Sequence, residues 1–173
     1  MKTAFSVRRL ILSGLFAALI CVLTVLLPIP LGHGFANPGD VFVLLAGYVL
    51  GPIAGFFAAG IGSMLSDLFL GYAVYAPATF IIKGFMALVC ACLSRSVNRS
   101  KSSFLPVYMF LIALVSECIM VAGYFSYEWI VFGLPAAVAD AAGNALQGAF
   151  SVAVYTLLSS VITKTGLIRQ LSR

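Results

Sequence analysis

Long apolar runs broken by short polar interruptions dominate this chain, and their spacing predicts membrane-crossing helices. Residues 10–27 carry no charged side chain, close to the about 20 residues that span about 30 Å of hydrocarbon. Lys2, Arg8 and Arg9 precede this run, and Pro28 and Pro30 end it. A polar loop over residues 28–40 follows, with Gly32-His33-Gly34 and Asn37-Pro38-Gly39-Asp40. Asn37 is placed to cap a second helix whose first position is Pro38. The apolar stretch 41–50 is broken at Gly51-Pro52, so this second helix is expected to be short and tilted. A third helix is predicted over 53–70. A loop, 71–76, leads to Pro77, which suits the first turn of a fourth helix reaching residue 93. Arg95, Arg99 and Lys101 mark a polar loop before a fifth helix over 105–125. An amphipathic loop, 126–143, with Tyr127, Glu128, Trp129 and Asp140, then precedes a sixth helix over 144–162 and a basic tail.

Composition removes the soluble alternatives. The 173 residues are 62% hydrophobic and 9% charged, where a soluble domain carries about 25% charge; mean hydropathy is +1.13. Such a chain cannot hide its apolar surface from water, which excludes a nucleic-acid binder, a disulfide scaffold and a disordered segment. A secretory signal is the other reading of the first run, but it is long for one and lacks a small-residue cleavage site. The expectation is an all-α integral membrane protein, a single six-helix domain over 1–173 with both termini cytoplasmic. The positive-inside rule agrees. Lys2, Arg8, Arg9, Arg95, Arg99, Lys101, Lys164, Arg169 and Arg173 fall on one face, while Asp40, Glu128 and Asp140 fall on the other.

The remaining ionisable residues lie inside spans, where each costs roughly 2.5–3.5 kcal/mol and needs a reason. Lys83 is early in helix four, one turn beyond Thr79. Asp67 is near the outer end of helix three, above Ser63. Glu117 is in the outer half of helix five, two turns below Tyr124. Asn144, Gln147 and Ser151 form one stripe on helix six. All lie toward one end of the bundle, which describes a polar cavity open to the outside. Tyr72, Tyr75, Tyr124, Tyr127 and Trp129 surround its mouth, and such faces suit a planar ring. Structural readings stand beside these. Lys83 snorkels, or pairs with Asp67 or Glu117. Asp67 is structural, the tyrosines and Trp129 form an interfacial belt, Asn144 is a helix cap, and His33 is a solvated loop residue.

Several chemistries lack their residues. There is no phosphate-binding loop, no metal-ligand cluster around the lone histidine, and no histidine in a span to activate a serine. Cys21, Cys90, Cys92 and Cys118 show no redox or metal spacing and suit apolar packing. No inverted repeat with broken helices is evident. Gly47, Gly51, Gly55, Ala59 and Ser63 recur every four residues, as close helix packing requires. Helix one carries Ser13, Gly14, Ala17 and Ala18 on a small face with few polar neighbours, which suits docking of another membrane subunit.

The run Asn37-Pro38-Gly39-Asp40, Gly51-Pro52, Gly62-Ser63, Asp67, Gly71-Tyr72, Ala76-Pro77-Ala78-Thr79 and Lys83-Gly84, followed by Gly143-Asn144 and Gln147-Gly148, resembles the S components of energy-coupling-factor (ECF) vitamin transporters, in their riboflavin-type branch. The resemblance covers nearly the whole chain. It implies the six-helix S-component fold and a subunit that captures a small water-soluble vitamin or precursor outside the cell. It also implies partners: a transmembrane coupling subunit, docked on Ser13, Gly14, Ala17 and Ala18, and two cytoplasmic ATPases.

The resulting expectation is a substrate-binding subunit of an ATP-driven importer in the cell membrane, not an enzyme and without cofactor or metal. Its ligand is hydroxymethylpyrimidine-, pyridoxine- or riboflavin-like. Lys83, Glu117, Asn144 and Gln147 are expected to make polar contacts; Tyr124, Tyr127 and Trp129 stack on or cover the ligand; Asp67 and Thr79 support them. The outer loops act as a lid, with bends at Gly32, Gly34 and Gly71. A stand-alone proton-coupled transporter using Glu117 or Asp67 is the alternative; a lipid-modifying enzyme and a ligand-free assembly factor are weaker rivals.

Overall fold

A computed structural model describes residues 7–30, 33, 35–96 and 104–165. Of the sites named above, Lys2, Gly32, Gly34, Arg99, Lys101, Arg169 and Arg173 lie outside them. The chain runs α1 (Val7–Leu26), β1 (Ile29–Pro30), β2 (Phe35–Ala36), α2 (Asp40–Leu50), α3 (Pro52–Leu70), α4 (Ala76–Ser96), α5 (Leu105–Phe132) and α6 (Leu134–Lys164). The two short strands pair antiparallel, Ile29 with Ala36 and Pro30 with Phe35. This hairpin sits inside what the sequence presents as a plain loop, and its docking depends on contacts from α6 described below.

Among the described residues, five helices are long and apolar enough to cross a membrane, and α2 is not. Its 11 residues reach only about 16 Å at about 1.5 Å per residue. Nine of them are buried, because α2 is apolar on all sides and serves as the bundle's core rather than as a lipid-facing span. Its first helical residue is Asp40, two later than Pro38 predicts. Asn37 instead accepts the Gly39 N–H through Oδ1 at 2.8 Å and so caps a tight turn just ahead of the helix. At the other end, Gly51 adopts φ +84°, a backbone conformation that side chains disfavour, and this reverses the chain into α3. The Arg9 guanidinium donates to the Leu50 carbonyl, Nε at 3.1 Å, and so satisfies an acceptor at the negative end of α2.

Close backbone approach explains the small residues. A Cβ on Gly47 would lie 2.2 Å from the Ala87 carbonyl oxygen of α4, and one on Gly62 would lie 2.6 Å from that of Ala17 on α1. Ala17 therefore faces α3 inside the bundle. Gly14 and Ala18 are exposed, and Ser13 donates its hydroxyl to the Arg9 carbonyl of its own helix at 2.8 Å. Only Ile20, Cys21 and Thr24 of α1 are buried, so α1 is peripheral.

The expected loop over 126–143 does not exist. α5 continues to Phe132, Gly133 alone turns the chain at φ +92°, and α6 begins at Leu134 with Pro135 in its first turn. The polar residues that suggest a loop are buried polar positions on helices: Glu128 is 2% exposed on α5 and Asp140 0% on α6. Gly133 and Pro135, two positions apart, are the paired breakers in this stretch, and that is where the break falls.

Candidate functional site

Polar side chains from α1, α3, α4, α5 and α6 meet behind the β1–β2 hairpin. The cavity is lined by Thr24, Asn37, Ser63, Ser66, Asp67, Thr79, Lys83, Glu128, Asn144 and Gln147, with Phe35, Tyr75 and Tyr124 as its aromatic walls. It lies at the bundle end formed by the C-termini of α1, α3 and α5, away from Arg8, Arg9, Arg95 and Lys164 at the other helix ends. Its volume is about 30 Å³, room for about one water.

The buried cation has a partner that the sequence reading did not offer it. Lys83 Nζ donates to Asp40 Oδ1 at 2.5 Å, with 3% and 1% of the two side chains exposed. Asp40 sits at the N-terminus of α2, where free N–H groups and the helix dipole favour a carboxylate. Its second oxygen accepts from Gln147 Nε2. Gln147 Oε1 in turn accepts the Asn37 backbone N–H at 2.7 Å. The Thr24 hydroxyl donates to Asn37 Oδ1 at 3.1 Å. One continuous network thus ties α4, α2 and α6 to the strand-to-helix turn and to α1. A buried ion pair survives because its remaining lone pairs are satisfied in this way.

A second set of contacts involves the aromatic walls. Lys83 Nζ stands 5.2 Å from the Tyr124 ring centroid, within cation–π range. The Tyr124 hydroxyl is 3.0 Å from Thr79 Oγ1, and Thr79 lines the cavity beside Asp67. The Tyr75 hydroxyl donates to Glu128 Oε1 over 3.4 Å. Burial and the negative charges of Glu128 and Asp140 push the Tyr75 hydroxyl well above its usual pKa, so it stays a donor. Asp67 Oδ2 and Glu128 Oε2 are buried and have no hydrogen-bond partner among the described residues.

Of the residues singled out from the sequence, Lys83, Asp67, Thr79, Tyr124, Asn144 and Gln147 line the cavity. Glu117 does not. It is 3% exposed, packed against Gly148, and interacts electrostatically with Asp40 and Lys83. Neither of its oxygens has a partner among the described residues. Tyr127 is outside the cavity and donates its hydroxyl to the Val74 carbonyl. Trp129 is 56% exposed and meets the Phe125 ring at 6.3 Å. Gly71 terminates α3 in the left-handed conformation. His33 is exposed, but its backbone N–H donates to Asp140 Oδ2 at 2.9 Å and its ring stacks on Phe132.

Sequence reasoning did not place Asn37, Thr24 and Glu128 on this cavity, or Asp40 in the network behind it. Two signals were available. Glu128 is one helical turn beyond Tyr124 and shares its face. Asp140 extends the Asn144–Gln147–Ser151 stripe by one turn, and all four are buried.

A protein of Pyrococcus woesei, described as an uncharacterized protein in the gap 3′ region, is 28% identical to this chain over 148 residues, 86% of this chain and 95% of that relative. The model of the family "ECF-type riboflavin transporter, S component" matches residues 4–164. Nearly the whole chain, including every cavity residue described above, falls within that match, and the chain belongs to the ECF-type riboflavin transporter S component family.

Proposed function

We propose that this chain is the substrate-capturing subunit of an ECF-type, ATP-driven importer in the cell membrane. It takes a small vitamin or vitamin precursor, hydroxymethylpyrimidine-, pyridoxine- or riboflavin-like, from outside. One observation carries the reading: buried polar groups from five helices converge on one cavity at the bundle end away from the basic residues. The positive-inside rule puts that basic end in the cytoplasm and the cavity toward the exterior. A bundle in lipid does not bury Asp40, Asp67, Lys83 and Glu128 without return, and ligand recognition is the return. Asn144 and Gln147 read polar edges, while Tyr75, Tyr124 and Phe35 offer ring faces. Ligand pockets usually measure about 300–1,000 Å³, so with about 30 Å³ enclosed here the ligand enters by displacing side chains. The coupling subunit docks on the peripheral helix α1, where Gly14 and Ala18 are exposed. Ser13 and Ala17 flank that surface, and two cytoplasmic ATPases supply the energy.

One observation favours a second reading. Glu117 is a buried carboxylate whose two oxygens have no hydrogen-bond partner among the described residues, beside the Lys83–Asp40 pair, which is what a proton-carrying site in a stand-alone transporter requires. Uptake of radiolabelled vitamins separates the two. Host cells lacking their own ECF module would express this chain alone, with an ECF module, or with an ATPase-dead module. The importer reading predicts accumulation only with active ATPases. Accumulation by the chain alone, abolished by an uncoupler, would establish the proton-coupled reading instead.

A further inference from the structure

The charges around the cavity do not balance, and the imbalance specifies what the ligand must bring. The cavity's one lysine, Lys83, is already neutralised by Asp40, which also holds the Gln147 amide. Two carboxylates remain on the walls, Asp67 from α3 and Glu128 from α5, 4% and 2% exposed. The Tyr75 hydroxyl already supplies one Glu128 oxygen with a donor, and the Thr79 hydroxyl acts on the Asp67 carboxylate. Each carboxylate has an oxygen buried without a donor among the described residues. Buried acceptors are expensive to leave unmatched, by about 1–3 kcal/mol and more when charged. The other charged groups nearby, Glu117 beside the ion pair and Asp140 beyond Glu128, are acids as well. No free cation among the lining residues is left to receive an anion.

We propose that this cavity selects a flat heterocycle rich in hydrogen-bond donors, carrying an amino group or a protonated ring nitrogen, anchored on Asp67 and Glu128, and that it rejects phosphate- and carboxylate-bearing vitamins. The inference rests on the capture reading above and narrows it. An exocyclic amine donates to one free carboxylate oxygen, and a second donor on another edge of the ring reaches the other. Tyr75, Tyr124 and Phe35 present aromatic surface to the ring face, which a cationic ring strengthens. A ligand edge made only of acceptors faces two carboxylate oxygens and leaves them unmatched. An anion adds like charge to a wall that is already acidic.

The test uses the full chain in detergent and equilibrium binding by calorimetry, with a thermal-shift readout beside it. The probes are 4-amino-5-hydroxymethyl-2-methylpyrimidine, its 4-hydroxy counterpart, pyridoxine, pyridoxal 5′-phosphate and riboflavin. The amino compound should bind at least about tenfold tighter than its 4-hydroxy counterpart, equivalent to about 1.4 kcal/mol, and the phosphate ester should not bind. Asp67→Asn and Glu128→Gln should each shrink the amino-to-hydroxy ratio. Should either variant fail to fold, the ratio in the unaltered chain decides alone. Equal binding of the two pyrimidines, or tight binding of the phosphate ester, overturns the proposal. Riboflavin binding with both pyrimidines silent also overturns it, while leaving vitamin capture intact. Binding of none of the probes counts against both.

Discussion

Removing the charge from Asp40 tests whether the Lys83–Asp40 pair holds the bundle together. In Asp40→Asn the side chain keeps its shape and an acceptor for Gln147, but the Lys83 ammonium, 3% exposed, loses the carboxylate 2.5 Å away. Breaking a buried pair from one side costs about 3–5 kcal/mol, because an uncompensated charge is left in a low-dielectric site. Lys83→Met should cost a similar amount. Asp40 would then keep only Gln147 and the α2 N-terminus as partners. For a chain of this size, about 2–4 °C per kcal/mol places each single variant about 6–20 °C below the parent in thermal melting. The double variant removes both charges and should lose less than the two single variants summed, by a coupling energy of about 2–3 kcal/mol. Melting in a fixed detergent, monitored by intrinsic fluorescence with size-exclusion controls, measures all four proteins. Additive single effects, with coupling below about 0.5 kcal/mol, would refute the pairing and return Lys83 to Asp67, Glu117 or the membrane interface.

Three further expectations check other parts of the account. Gly47→Ala places a methyl 2.2 Å from the Ala87 carbonyl oxygen, so α2 and α4 must separate at a cost of about 1–3 kcal/mol in the same melting assay; an unchanged melting temperature would contradict the close approach. Glu117→Gln removes charge from a carboxylate with no hydrogen-bond partner among the described residues, so stability should stay within about 1 kcal/mol or rise; a loss above about 2 kcal/mol would mean the charge is paired. Trp129→Ala alters an exposed ring outside the cavity and should leave ligand affinity within about twofold, measured by calorimetry; a loss of tenfold or more would put Trp129 on the ligand.

Where the physics is local, the sequence was legible. Apolar run lengths located α1, α3, α4 and the start of α5, because crossing hydrocarbon sets a length that few other constraints imitate. Helical spacing put Asn144, Gln147 and Ser151 on one face, and all three are buried together. The failures share a cause. Asp40, Glu128 and Asp140 are acids near chain reversals, and polarity alone reads as loop. In the fold each is buried on a helix and matched by a group distant in sequence: Lys83 is 43 positions from Asp40, and Tyr75 is 53 from Glu128. Composition cannot tell a solvated acid from one held by a remote partner. The helical hairpin at Gly133 was lost for the same reason, since the polar residues around it drew the boundary instead of the Gly133–Pro135 break. A lysine within a span requires a counter-charge; the sequence offered Asp67 or Glu117 for Lys83, and Asp40 at the start of the neighbouring buried helix supplies it.

Native mass spectrometry of the purified full chain, released from detergent after incubation with the vitamin panel, tests the central claim most directly. The account predicts one small donor-bearing heterocycle bound per chain in the parent protein, and its loss in folded Asp67→Asn and Gln147→Ala variants. Bare protein after every incubation, or a bound compound that both variants retain at full occupancy, would contradict it.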